Sequence, residues 1–272
     1  MFAKVLISAA MAVTAGSVAA ALPPPPLARP TAQWVVDFAE KRCLASRAYV
    51  AGNNELVVGI QPLPSTDRTR IYIQAASDLR TLDSQSAKIS IGNERLPAGY
   101  LAVEPVVKPG HVRYSFGLDR GTLQKLIQAG RLTVDSKKLR ADIPLTKLPS
   151  IAILLDQCSQ ALLAHWGLTP EAQAALVSFP KPKGSRPILL ASDYPKMAID
   201  RLAIGVVEVV LNVDSSGKAV GCRMVRSSGH PDLDAVTCKR LQQRAKFDPA
   251  INRQGQAVTS VYYMPVHWSI AN

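Results

Sequence analysis

The sequence is poor in histidine, cysteine and aromatic residues, and beyond its first residues it has no long apolar run. Its 272 residues include four His and four Cys. None of Cys43, Cys158, Cys222 and Cys238 forms a CxxC pair, so the chain lacks the ligand spacing of a structural zinc site. After residue 22 nothing approaches the roughly 18 consecutive apolar residues of a membrane helix. The net charge of +12 is shared by both halves and is not gathered into basic clusters interleaved with aromatics. That pattern argues against nucleic acid as a partner.

What is there is a chain of 47% hydrophobic residues, long enough for two domains that each bury a core without metal support. It opens with Lys4, an apolar run from Val5, the small residues "SVAA" and four prolines. This is the grammar of a signal peptide over residues 1–21, followed by a Pro-rich segment over 22–33. The alternative keeps Val5 to Leu22 as an uncleaved inner-membrane anchor. Export to the periplasm places the even cysteine count where disulfides persist.

Residues 34–167 read as an α+β domain, mostly strands with helices. "ELVVGIQP", "RIYIQA", "AKISIG" and "HVRYSFGL" are short, rich in β-branched or aromatic residues and bounded by turn formers. Asp119 is expected to cap a helix that Gly130 stops. "RLTVDSKKLRADIPL" then reads as a hairpin, and a longer amphipathic helix carries Cys158. A Cys43–Cys158 bridge would tie the two ends of this domain together. Residues 168–192 hold a short helix and "PKPKGSRP", the composition of a linker.

From residue 193 a second domain begins. "VVEVVLNV" places Val207, Val209, Leu211 and Val213 on one strand face, and "AVGCRMVRS" follows as its partner with Cys222 among the apolar set. Pro231, acidic Asp232 and Asp234, and basic Lys239, Arg240 and Arg244 mark a helix with its dipole complemented at both ends. On that helix Cys238 shares a stripe with Leu241 and Ala245, so Cys222 and Cys238 are expected to pair.

Ser227, Ser228, His230, Asp232 and Asp234 supply the residue types of a hydrolase triad. They are chain neighbours at a strand-to-helix junction, however, where Ser, Gly and Asp serve capping. No catalytic residue, metal site or cofactor is assigned, and the chain is not expected to be an enzyme.

The ordered pieces "YP" before a helix, "GVVEVVLNV", "SSGK", "VRSSG" with "LD", "FDPA" and a closing strand resemble the TonB carboxyl-terminal domain over about 80 residues. The resemblance implies a three-stranded antiparallel sheet packed with two helices, working by noncatalytic protein binding. It also implies that a partner segment adds to the sheet edge. The implied edge is residues 256–269, with Val258, Ser260, Val261, Tyr262, Tyr263 and Met264 as its contacts and Pro265 interrupting the ladder. The implied partner is an outer-membrane receptor or another envelope protein.

Two alternatives stand beside this reading. One is a membrane-anchored energy transducer, with membrane association through the amino terminus. The other is a ligand-binding or enzymatic first domain with the second as an accessory. The sequence sets no oligomeric state.

Overall fold

The computed structural model describes residues 23–270 apart from residues 40, 78–82, 98, 107, 185 and 186. The expected leader lies outside the described residues, and among those described no helix is long and apolar enough to cross a membrane.

The first half runs β1 (Ala28–Pro30), β2 (Val35–Ala39), β3 (Arg42–Ala51), β4 (Asn54–Pro62), β5 (Arg68–Ala76), β6 (Asp83–Ile91), β7 (Glu94–Arg95), β8 (Gly99–Pro105), β9 (His111–Asp119), α1 (Arg120–Ala129), β10 (Arg131–Ser136), β11 (Arg140–Pro144) and α2 (Leu148–His165). The second half runs α3 (Pro170–Ala175), β12 (Leu176–Ser178), β13 (Lys181–Pro182), α4 (Lys196–Asp200), β14 (Gly205–Val213), β15 (Ala219–Arg226), α5 (Pro231–Arg244), β16 (Phe247–Asp248), β17 (Ala250–Asn252), β18 (Ala257–Val258) and β19 (Ser260–Trp268). The architecture is α+β, with the strands of the first half gathered in one large sheet.

That sheet is ordered β1-β3-β4-β5-β9-β8-β6-β10-β11. Its two ends meet: Leu27 bridges Asp142, and the Asp142 N–H donates to Pro26 O at 2.9 Å. The sheet therefore closes into a barrel, which removes its open edges. Alternation fills the interior, since Ala45 lies opposite Ile60, Ile60 opposite Ile71 and Ile71 opposite Phe116. Cys43 points to the same face as Ala45, and its bond to Cys158 fixes α2 against that face.

The expected caps of α1 are in place. Asp119 accepts from the Thr122 N–H at 2.8 Å, and Gly130 takes the left-handed conformation at φ 59°. On the outer face Gly59 leaves room for the Tyr72 ring, because a Cβ there would lie 2.1 Å from Tyr72 Cζ.

The segment read as a linker is instead folded onto the second domain. Leu176 and Ser178 pair with Asn252 and Ile251, and Lys181 and Pro182 pair with Asp248 and Phe247. Pairings of two and three residues carry no hydrophobic periodicity, so the Pro, Lys and Gly content gave the only local signal. The second domain itself is the antiparallel sheet β15-β14-β19 with α4 and α5 against one face.

Candidate binding edge and interdomain junction

β14 is the central strand, and almost all of it is buried. Val207, Val209, Leu211 and Val213 face Leu233 and Leu241 of α5, as the alternation requires. The other face carries Val210, Val225, Val261 and Tyr263, which join the core of the first domain. The barrel thus covers the second face of the sheet, and the near-continuous apolar run of β14 is the sequence of a strand buried on both sides.

Charged groups meet at this junction. From the barrel come Arg70 on β5, Glu104 on β8 and Arg113 on β9, and from the sheet Glu208 on β14, Arg226 on β15 and His267 on β19. Glu208 Oε1 accepts from Arg70 Nη1 at 2.9 Å and forms an ion pair with Arg226 Nη2 at 3.0 Å. Glu104 lies 3.9 Å from both Arg113 and Arg226 and 4.0 Å from His267 Nδ1. The Arg113 guanidinium also sits 4.7 Å over the Tyr72 ring that Gly59 accommodates. Tyr263 stacks on Trp166, with ring centroids 6.3 Å apart.

The β19 edge can be read from its register. Nine consecutive pairs join it to β14, from Gly205 with Trp268 to Val213 with Ser260. The Tyr263 N–H donates to Ser65 Oγ at 2.8 Å, away from β14. Tyr263 and its strand-mates Val261, Pro265 and His267 therefore turn their backbone groups outward, whereas Ser260, Tyr262 and Met264 bond to β14. Pro265 consequently costs the β14 ladder nothing: its missing donor belongs to the outer edge, where it weakens or shifts an added strand. Val258 lies apart on β18, paired with Ala250. Ser260, Val261 and Tyr263 are buried.

The motif residues converge within the second domain. Tyr194 of "YP" meets Trp268 edge-on at 5.0 Å and donates its hydroxyl to Ala203 O. Gly217 of "SSGK", at φ 81°, lies so close to Phe247 of "FDPA" that a Cβ would fall 2.0 Å from Phe247 O. The Phe247 N–H in turn bonds Gly217 O at 2.9 Å. Only glycine fits this approach and this φ.

Residues 191–270 match the Gram-negative bacterial TonB protein C-terminal family. No curated protein matches the chain. The match spans the second domain, which is TonB-like, and does not extend into the barrel.

In the TonB-like domain Cys222 of β15 and Cys238 of α5 are bonded to each other. The hydrolase-type residues beside them form a turn clamp. Asp234 accepts from the Ser228 N–H at 2.9 Å and Ser228 Oγ at 2.8 Å, and also from Ser227 Oγ. His230 stands at the N-cap without a side-chain cap bond. The capping logic is thus reversed, with an acid inside the helix holding the serines before it. Asp232 pairs with Arg201 instead.

A cavity of about 760 Å³ lies between the β4–β5 turn, α1 and α2 of the first domain and α3 with Phe179 of the segment that follows. Its lining is mainly apolar and includes Asp67 and Asp156 but no histidine. Among the described residues no group of three or more His, Cys, Asp or Glu side chains is placed to hold a metal ion.

Junction electrostatics set a pH dependence. Burial opposes ionisation of Glu208, but Arg226 and Arg70 outweigh it and hold the carboxyl below the ordinary range. Partial desolvation, with Arg70 and Arg226, also pushes the 43% exposed His267 side chain below its ordinary value against the pull of Glu104 and Glu208. Both folded-state values are depressed, so both groups favour the folded state above their unfolded values and lose that contribution as pH falls. Urea midpoints should hold steady from neutral pH down to about 6.5, decline below it as His267 is forced to charge, and decline again below about 4.3 through Glu208. His267→Gln should remove the first decline and leave the second. An unchanged first decline in that variant would show that another group causes it.

Proposed function

We propose that this is an exported envelope protein whose TonB-like domain binds a partner protein noncatalytically, by taking an extended partner segment along the β19 edge. The observation that carries this reading is the contrast between the two edges of the sheet. β19 holds nine unbroken pairs with β14, whereas β15 shifts register twice, between Glu208 and Val209 and between Asn212 and Val213. A bulged edge twists away from added strands, and a regular one presents evenly spaced groups to them. Within residues 256–269 the contacts fall to Val261 and Tyr263 by their outward backbone. Tyr262 and Met264 serve by position, Ser260 and Val258 at the start of the edge. The partner class is an outer-membrane receptor or another envelope protein, met in the periplasm.

A photo-crosslinking residue placed at Val261 in intact cells tests this. Capture of an outer-membrane receptor through an extended segment is the expected result. Capture only from a crosslinker at Met224 on β15, with none at Val261, would move the binding edge to the other side of the sheet.

A further inference from the structure

The outer edge of β19 is in contact with the barrel. The turn joining β4 to β5, residues 63–67, places Ser65 against Tyr263, and Ser65 Oγ accepts the Tyr263 N–H at 2.8 Å. That oxygen stands where the carbonyl of an added strand would stand. Ser65 is buried at 2% exposure and adopts φ 66°, a left-handed conformation that a non-glycine residue holds only when its surroundings enforce it. The next outward position along the strand is Pro265, which has no N–H to offer. Beside this contact a cleft of about 640 Å³ runs between the turn, residues 177–182 and the β19 residues Tyr262, Tyr263 and Pro265. There is space next to the edge, yet its central donor is already taken.

We infer that the β4–β5 turn is a built-in plug on the strand-accepting edge, with Ser65 as a stand-in acceptor that an incoming segment must displace. The inference rests on the proposed strand addition at β19 and adds that the first domain holds that edge closed. Displacement is local, because the rest of the junction is held by the Arg70–Glu208 and Arg226–Glu104 ion pairs on other strands. Binding is therefore weakened by competition within the chain, and a partner is selected that supplies a better acceptor than a serine hydroxyl.

Ser65→Gly tests the plug without breaking the fold, since glycine keeps the left-handed turn and removes only the acceptor. In the full chain, residue-resolved hydrogen exchange should show the Tyr263 amide protected in the wild type and exchanging at least about tenfold faster in Ser65→Gly. The amides of Tyr262 and Met264, bonded to β14, should be unchanged. A synthetic nine-residue peptide alternating valine and glutamate, used as a generic strand, should bind Ser65→Gly about tenfold more tightly than wild type. A Tyr263 amide equally protected in both proteins, or equal peptide affinity for both, would overturn the plug alone. Absence of peptide binding to both, with the exchange difference present, would overturn the strand-accepting reading on which it rests.

Discussion

Replacing Glu208 by alanine should lower the stability of the full chain by about 3 to 5 kcal/mol, the usual cost of leaving buried charge without its partner. Glu208 accepts a hydrogen bond from Arg70 and is ion-paired with Arg226 at once. The Arg70 side chain is only 9% exposed, so it cannot turn to water once the carboxylate is gone. Arg226 is 34% exposed and can recover part of its hydration, which places the larger share of the loss on Arg70. Urea unfolding of Glu208→Ala, Arg70→Ala and the double variant checks this. The double variant should cost clearly less than the two singles added together, because removing both partners leaves one fewer orphaned charge. Losses below about 1 kcal/mol, the range of exposed pairs, would mean that the junction is open to solvent.

The second large effect lies in the covalent frame. Cys43 and Cys158 are 115 residues apart, and Cys222 and Cys238 are 16 apart. In the chain-entropy model the longer loop contributes about 5 kcal/mol and the shorter about 3 kcal/mol. The double substitution of Cys43 and Cys158 by serine should therefore cost more than that of Cys222 and Cys238. Each loss should be read from urea unfolding under nonreducing conditions. The longer bridge also holds α2 to the inner face of the barrel beside Ala45, so its removal should loosen the α2 amides in hydrogen exchange. Equal losses from the two pairs would show that the unfolded chain is already compact enough to cancel the loop-length difference.

Local features of the fold were legible because their causes are local. Asp119 and Gly130 bracket α1 by their own side-chain and backbone chemistry. Cys222 lies opposite Leu211 and reaches Cys238, although its alternation mates Val220 and Met224 are exposed beside the register shifts of β15. The order of the TonB-like motifs is legible for a related reason. "SSGK" and "FDPA" are linked through one close approach, Gly217 against Phe247, that no other residue tolerates.

The junction was not legible, since its pairs join residues as far apart as Arg70 and Glu208, separated by 138 positions. The one local hint was Glu208 itself, a lone acid within an apolar strand, a position that a buried strand fills with a charge only where a partner waits. Barrel closure was hidden for the same reason, because it depends on the meeting of Leu27 with Asp142 and not on any strand's own pattern. The linker reading failed for a related reason. Proline marks chain breaks and sheet edges alike, and only pairing partners separate the two.

Strand addition at β19 would set a partner segment against the outward backbone of Val261 and Tyr263. Its most direct test is a backbone-resolved NMR titration of the full chain with a peptide from the outer-membrane receptor captured in cells. Peptide binding should shift signals centred on Val261, Tyr263 and the amides of β19, with loss of the Tyr263-to-Ser65 contact. An unchanged β19 at millimolar peptide, or shifts confined to β15, would contradict it.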